Sequence, residues 1–345
     1  MRAAVYYGPG DIRVETLPDP RIEQPTDALI RVTHAGICGS DLWFYRGLMQ
    51  LDSGQVTGHE MLGVVAETGP DVRTVQPGDT VIVPISYSDG SCDYCRQGLT
   101  TSCRHGAGFG FGGIPGGQAE AARIPFADAT LVKVPDEIAG DDDALVRALP
   151  LTDVMSTGHH AAVSAGIKGG EKVAVIGDGA VGLCAILAAR RLGAEQIIAV
   201  GHHPGRLKTA RRFGATDIVD HTDNLSETIQ VMTEQYGVDR VLECVGNQAS
   251  FEDALKAVRD GGVIGFVGVP NGVTGLDLQP FFARNISLRG GVTPARTYIP
   301  ELLEDVVRGS LDPSPILDMA VPLDDTPRGY AAMDSRQALK VLVRP

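Results

Sequence analysis

The chain has 345 residues, 43% of them hydrophobic and 21% charged, and a net charge of −13. That length suits about two domains, the composition is that of a soluble globular protein, and the acidic balance argues against nucleic acid or an anionic membrane surface as partner, since both need clustered Lys and Arg. The N-terminus lacks a signal-peptide core and no apolar run reaches the ~18 residues that span a bilayer, so a cytoplasmic protein is expected, with its six cysteines as thiols or metal ligands.

The first 135 residues predict a β-rich, barrel-like domain. Runs of strand-forming residues recur at 3–7, 28–33, 62–68, 80–84, 119–124 and 131–134, with turn signals such as Gly8-Pro9-Gly10 and Gln76-Pro77-Gly78-Asp79 between them. Helices are predicted at 141–148 and 151–165. From there strands at 172–176, 197–200, 218–220, 240–245 and 262–267 alternate with helices at 180–192, 204–213, 225–236 and 250–259. Runs such as Val173-Ala174-Val175-Ile176 are apolar throughout, as strands covered on both faces must be. The alternation predicts a doubly wound parallel sheet. After 286–291 it stops, and one helix at 298–308 and a strand at 338–343 are expected to return to the first domain. The expected division is 1–156, 157–292 and 293–345.

Gly177-Asp178-Gly179-Ala180-Val181-Gly182 is GxGxxG between a buried strand and a helix. Its glycines allow a tight turn, approach of the backbone to a pyrophosphate and close helix packing, with Ala180 and Val181 opening the helix under the phosphates. An NAD enzyme usually carries an acid at the end of the next strand. That strand instead ends in Gly201-His202-His203-Pro204-Gly205-Arg206. Gly201 leaves room for a 2′-phosphate, and His202, His203 and Arg206 are candidate donors to it, so NADP is favoured, with NAD as the alternative.

Cys38 and His59 are a thiolate and an imidazole suited to zinc, which needs a third protein ligand in a catalytic site. Asp153 is the candidate, at the expected domain junction, and the other reading of it is a helix cap. Asp89, Cys92, Cys95 and Cys103 lie in one turn-rich loop and suggest a second, structural zinc. The competing reading is a vestigial lobe with free thiols.

Three motifs together resemble the zinc-dependent medium-chain alcohol dehydrogenases: Gly58-His59-Glu60-x-x-Gly63 with Gly69, Cys38-Gly39-Ser40-Asp41, and the GxGxxG segment. The resemblance covers nearly the whole chain and implies an α/β protein, a GroES-like catalytic domain joined to a Rossmann domain. It implies Zn2+ acting as a Lewis acid on an alcohol or carbonyl oxygen, Ser40 accepting the alcohol proton, and hydride passing to the nicotinamide. The family's usual third ligand is cysteine. Asp153 in its place is similar to bacterial NADP-dependent secondary alcohol dehydrogenases, whose Gly-x-x-Pro turn is matched by Gly201-His202-His203-Pro204, with His203 where they carry arginine. Glu60 matches a glutamate that can approach the metal. Asp89 stands where the first of four structural-zinc cysteines is usual, and Trp43 where many relatives have a proton-relaying histidine. Asp41 is expected to support His59. Lys340, counted with the cofactor-binding residues, is expected either to pair with Asp41 or to lie solvated. Trp43, Phe44, Tyr87, Phe109, Phe111 and Val292 are candidate pocket residues. A homodimer or homotetramer is expected, joined through the edge strand at 286–291. The substrate is then a small alcohol or carbonyl. A polyol or amino-alcohol dehydrogenase, a pathway-specific carbonyl reductase, and a non-catalytic NADPH-binding protein are the alternatives.

Overall fold

The computed structural model describes residues 1–220 and 225–345, and the chain divides into two compact units. Met1–Asp153 and Pro294–Pro345 form one, and Val154–Thr293 the other.

The first unit is built on the long strand Ala28–Ile37, most of whose residues are buried. Its sheet runs Val132–Lys133, Thr80–Val83, Glu60–Thr68, Ala28–Ile37, Val341–Arg344, Met319–Pro322, and Ala121–Ile124 also pairs with Ala28–Ile37. Ile30, Val32, Ile37, Met61, Val81, Val83, Ile124, Val341 and Val343 fill one core. Fully burying an aliphatic side chain of this kind contributes about 1.5–3 kcal/mol. The C-terminal strand does return to this unit, with Val341 opposite Ile37. The tail holds more structure than expected: the helix Thr326–Asp334 and the strand Met319–Pro322 lie between the helix Ala295–Val307 and the last strand. The edge strand Asp11–Thr16 and the short helices Asp41–Tyr45 and Asp93–Arg96 were also not predicted.

The helix expected over 151–165 is broken. A 3-10 turn, Leu149–Thr152, ends at Asp153, whose φ of −147° and ψ of −80° are not helical, and the α-helix Val154–Ala165 begins after it.

The second unit contains six parallel strands in the order Asp217–Asp220, Gln196–Gly201, Lys172–Ile176, Val238–Glu243, Val258–Phe266, Ser287–Gly290. This is the doubly wound order 3-2-1-4-5-6, which binds dinucleotides outside the carboxyl ends of its strands. Ala174, Ile176, Ile198, Val200, Val241 and Ile264 pack between the layers. The helix Pro204–Phe213 has proline in its first turn and ends on Gly214 at φ +115°, the asymmetry that starts and stops helices. The helix predicted to 236 ends at Met232, because Glu234 and Gln235 adopt positive φ. The helix predicted at 250–259 is Gln248–Ala257, set by a capping box between Asn247 and Ser250.

Candidate active site

Cys38 follows directly on the strand Ala28–Ile37, and His59 and Glu60 open the neighbouring strand Glu60–Thr68. Gly58 precedes them at φ +90°, and a side chain there would run into Gln118, so the turn that aims His59 needs glycine. The Cys38 thiol donates to Asp153 Oδ2 at 3.1 Å, and His59 Nε2 lies 3.2 Å from the same oxygen. The break in the helix at Asp153 is what turns its carboxylate toward them. Ser40 Oγ is 3.4 Å from His59 Nε2. One donor atom from each of Cys38, His59, Glu60 and Asp153 falls within 4.8 Å of the others.

Behind these residues stands a supporting layer. Asp41 Oδ2 accepts from the Cys38 backbone N–H at 2.9 Å, and Asp41 Oδ1 is 3.2 Å from His59 Nδ1, in contact but out of line for a hydrogen bond. Gln118 Nε2 donates to Gly36 O at 2.9 Å and to Asp41 at 3.4 Å, while its Oε1 accepts from Thr57 and Tyr330 at 2.7 and 2.9 Å. Phe111 stacks on His59 with ring centroids 4.8 Å apart, and Phe44 packs on Phe111. Phe109 is core and fully buried, with Tyr87 against its edge. It is therefore not a pocket residue.

Lys340 corrects a second expectation. Its ammonium bonds Glu60 at 2.7 and 2.6 Å and Ile37 O at 3.3 Å, and does not pair with Asp41. Register explains this. Val341 pairs with Ile37, and Gly36 pairs with Glu60 across the same strand. Gly36 has no side chain, and a Cβ there would collide with the Glu60 carboxylate. Lys340 thus has an open lane to Glu60. It is buried and committed to that carboxylate, not solvated.

Charge bears on what the site holds. Asp41, Glu60 and Asp153 are buried together with a single ammonium, that of Lys340. Burial raises the Glu60 pKa against the pull of Lys340, and raises that of Cys38, with Asp153 adding to it. Burial opposes ionisation of Asp153, but its contacts with His59 and the charge of Lys340 outweigh it and lower its pKa. The imidazolium of His59 is also disfavoured by burial, yet Asp41 and Asp153 raise its pKa well above the ordinary value. A buried thiol, imidazole and carboxylates short of positive charge form a donor set that a divalent cation satisfies. The residues therefore fit zinc.

In the loop at 89–103, Asp89 Oδ1 accepts from the N–H groups of Ser91 and Cys92 at 2.8 and 2.9 Å. Cys92 Sγ lies 3.5 Å from Cys95 Sγ and 3.9 Å from Cys103 Sγ, and the four side chains offer ligand atoms within 4.8 Å of one another. The structure brings the four predicted residues together, with one addition: His105 Nδ1 is 2.6 Å from Asp89 Oδ2. His105 lies beyond the cysteine spacing and carried no signal in the sequence. A histidine bonded to a ligand carboxylate is a common outer partner in metal sites. The N–H of Arg104 helps bring the Cys92 thiol down to about 7, while burial pushes Cys95 up to about 12. Thr297, on the helix Ala295–Val307, donates to Gly98 O at 2.7 Å and tethers the loop.

In the second unit, Gly177 has φ +113°, and a Cβ at Gly182 would collide with the Gly177 carbonyl, so turn and helix meet as the fingerprint requires. Gly179 precedes the helix Ala180–Arg191, and its Cβ position faces open space. This cradle fits a pyrophosphate. Of the side chains expected to meet a 2′-phosphate, those of His203 and Arg206 lie against Asp178 instead. Asp178 Oδ2 accepts from the backbone N–H groups of His202 and His203 at 2.9 and 2.8 Å and lies 2.9 Å from His203 Nδ1, and Arg206 Nη1 is 3.6 Å from Asp178 Oδ1. Burial opposes the charge on Asp178, but the N–H groups of His203 and His202 prevail and lower its pKa. Asp178 occupies a variable position of the fingerprint, which is why pattern reading passed over it.

Residues 24–136 match the alcohol dehydrogenase GroES-like domain family, and residues 180–308 match the zinc-binding dehydrogenase family. The chain is 41% identical, over its full length and 89% of the relative's, to a probable zinc-binding alcohol dehydrogenase of Mycobacterium tuberculosis. The solved alcohol dehydrogenase of Thermus sp. ATN1 superposes with a TM-score of 0.94 at 36% identity, covering 100% of this chain and 99% of that one. A solved NADP complex of a Sinorhizobium meliloti 1021 protein of the zinc-binding dehydrogenase kind gives a TM-score of 0.83 at 25% identity, covering 100% and 99%. No helix among the described residues is long and apolar enough to cross a membrane.

Proposed function

Because this chain belongs to the zinc-dependent medium-chain alcohol dehydrogenase family, we propose that it transfers a hydride between a primary or secondary alcohol, or the matching aldehyde or ketone, and NADP(H). The observation that carries this is the convergence of Cys38 Sγ and His59 Nε2 on Asp153 Oδ2 at 3.1 and 3.2 Å, with Ser40 Oγ 3.4 Å from the imidazole.

Cys38, His59 and Asp153 would hold the catalytic zinc, with Glu60 close by in the grip of Lys340. Zinc, when bound, supplies Lewis acidity toward a substrate oxygen. The chain's own residues orient and move the proton. Ser40 accepts it from the alcohol, or returns it to the carbonyl in reverse. Asp41 fixes the Cys38 N–H and lies against the His59 ring, and Phe111 covers that ring from one side. Trp43 stands where a relaying histidine would serve, so the proton leaves Ser40 by another route. Asp89, Cys92, Cys95 and Cys103 hold the structural zinc.

The NADP reading is supported by the lack of an acidic residue in the second strand and the turn that follows it, by the side chains of His203 and Arg206 there, and by the NADP complex of the Sinorhizobium relative. A homodimer or homotetramer is the proposed assembly. The edge strand Ser287–Gly290, the exposed Leu278 at the start of the helix Gln279–Arg284 and the exposed Phe282 on it support it. A cytoplasmic location fits three cysteines gathered as metal ligands.

A panel of primary, secondary, aromatic and polyol alcohols and their carbonyls, assayed with NADP and NAD on protein of measured zinc content, tests the reading. Turnover of simple alcohols with the higher kcat/KM for NADP is expected. Polyols as the only good substrates would move the assignment within the family. Zinc-loaded protein inert toward the whole panel would leave the non-catalytic NADPH-binding reading.

A further inference from the structure

The second strand of the parallel sheet carries no acid of its own, yet a carboxylate stands at its end. It comes from Asp178, in the first turn of the fingerprint. A Cβ on Gly201 would lie 2.5 Å from Asp178 Cβ and 2.7 Å from its Oδ2. The missing side chain at Gly201 therefore makes room for Asp178, which fills that space already. The backbone N–H groups of His202 and His203 fix Oδ2. His203 Nδ1 lies 2.9 and 3.1 Å from the two carboxylate oxygens, and Arg206 Nη1 is 3.6 Å from Oδ1.

We propose that Asp178 is the residue that sets discrimination between NAD and NADP in this protein. A carboxylate is an acceptor only, so it can receive a ribose 2′-hydroxyl but meets a 2′-phosphate as a like charge. It also engages the imidazole and the guanidinium that a 2′-phosphate would recruit. Oδ2 is saturated by backbone and ring donors, whereas Oδ1 has only the ring at 3.1 Å and the longer contact to Arg206, and retains acceptor capacity. The acid that sequence inspection finds missing from the second strand is thus supplied in space by the first turn. Asp178 restrains NADP binding, while His203 and Arg206 provide for it.

The inference rests on the reading of this unit as a nicotinamide dinucleotide site. Titration calorimetry with 2′,5′-ADP and 5′-AMP, which differ at the ribose 2′-position, separates the two claims without requiring turnover. Asp178→Asn keeps the shape and an acceptor oxygen for the backbone N–H groups while removing the charge. It should tighten 2′,5′-ADP about tenfold relative to 5′-AMP at low salt, with the gain shrinking as salt rises. In steady-state assays the same shift should appear in KM for NADP. Arg206→Ala, at a partly buried side chain, should weaken 2′,5′-ADP about tenfold and leave 5′-AMP within about twofold. An unchanged 2′,5′-ADP to 5′-AMP ratio in Asp178→Asn overturns the proposal, as does a parallel loss of both ligands, which marks a structural role. If Asp178→Asn does not fold, an unaltered ratio in Arg206→Ala overturns it. Wild-type protein that prefers 5′-AMP refutes the NADP preference yet leaves the Asp178 inference to stand or fall on the mutational shift. Wild-type protein that binds neither probe overturns both.

Discussion

The ammonium of Lys340 reaches across the central strand of the catalytic unit to the Glu60 carboxylate, at 2.7 and 2.6 Å from its two oxygens, and both side chains are excluded from solvent. This pair joins the last strand of the chain to the wall of the metal site. Burial lowers the Lys340 pKa and the Glu60 charge raises it, with a net rise, so the lysine stays charged. Removing one partner strands the other in a low-dielectric interior, which costs about 3–5 kcal/mol. Lys340→Met should therefore destabilise the zinc-loaded protein by that amount in urea denaturation. Adding Glu60→Gln should recover most of the loss, because the stranded charge is gone. A single mutant within about 1 kcal/mol of wild type would show that the pair holds nothing together.

The metal centre yields a prediction in which fold and activity separate. Cys38→Ala and His59→Ala each remove a proposed ligand of the catalytic zinc, and turnover should fall below detection while the circular dichroism spectrum is retained. Chelation should act on stability as well. With the cation gone, Asp41, Glu60 and Asp153 are left with only the Lys340 ammonium and the His59 imidazole to face them. A cation present at a hundred times its Kd contributes about 2.7 kcal/mol by mass action, so the melting temperature should drop on chelation and return with added zinc. Unchanged turnover in metal-verified Cys38→Ala protein would remove that residue from the site.

His34 gives the clearest pH dependence away from the metal. It is buried, with Nε2 3.0 Å from Asp142 Oδ1 and 3.2 Å from Arg344 Nη1, and Arg344 bonds both Asp142 oxygens at 2.7 Å. Burial lowers its pKa, the Arg344 charge lowers it further, and Asp142 only partly opposes them. The folded state therefore holds His34 neutral at pH values where the unfolded chain, with a pKa near about 6.5, takes a proton. Stability is fully present above that value and declines as pH falls from it toward the folded pKa. Denaturation midpoints between about pH 7 and 5 should show this slope, and His34→Gln should flatten it. An identical slope in the variant would assign the effect to other groups.

The parts of the fold that the sequence made legible are those where local and tertiary preferences agree. Lys172–Ile176 is an apolar, branched run buried on the sheet, and Pro204–Phe213 carries its own start and stop residues. The helix Thr326–Asp334 was hidden because Gly329, inside it, weakens its helical signal. A Cβ at Gly329 would sit 2.8 Å from Ile37 Cδ1, so packing requires the residue that propensity disfavours. The strand Asp11–Thr16 has only two apolar residues, Ile12 and Val14, and of its six residues only Ile12 is buried, as befits a largely polar edge. In the site, Cys38, His59 and Asp153 were readable as ligand types, but the partner of Lys340 was not. It depends on register across three strands, which no local pattern records. Asp178 was hidden for a related reason: the fingerprint specifies glycines and leaves the residue between them free.

The two glycines that flank Cys38 look alike in sequence and should respond differently to the same substitution. A methyl group on Gly36 would collide with the Glu60 carboxylate, which cannot swing aside because Lys340 holds it. A methyl group on Gly39 meets nothing within 4 Å. Overpacking of a closed interior costs about 1–3 kcal/mol, whereas surface changes usually stay within about 0.5 kcal/mol. Gly36→Ala should therefore lower stability by the larger amount and disturb zinc retention, since Glu60 stands beside the other ligands. Gly39→Ala should melt with wild type. Equal melting temperatures for the two variants, measured with zinc bound, would mean that the lane between Lys340 and Glu60 is wider than the register of these strands implies.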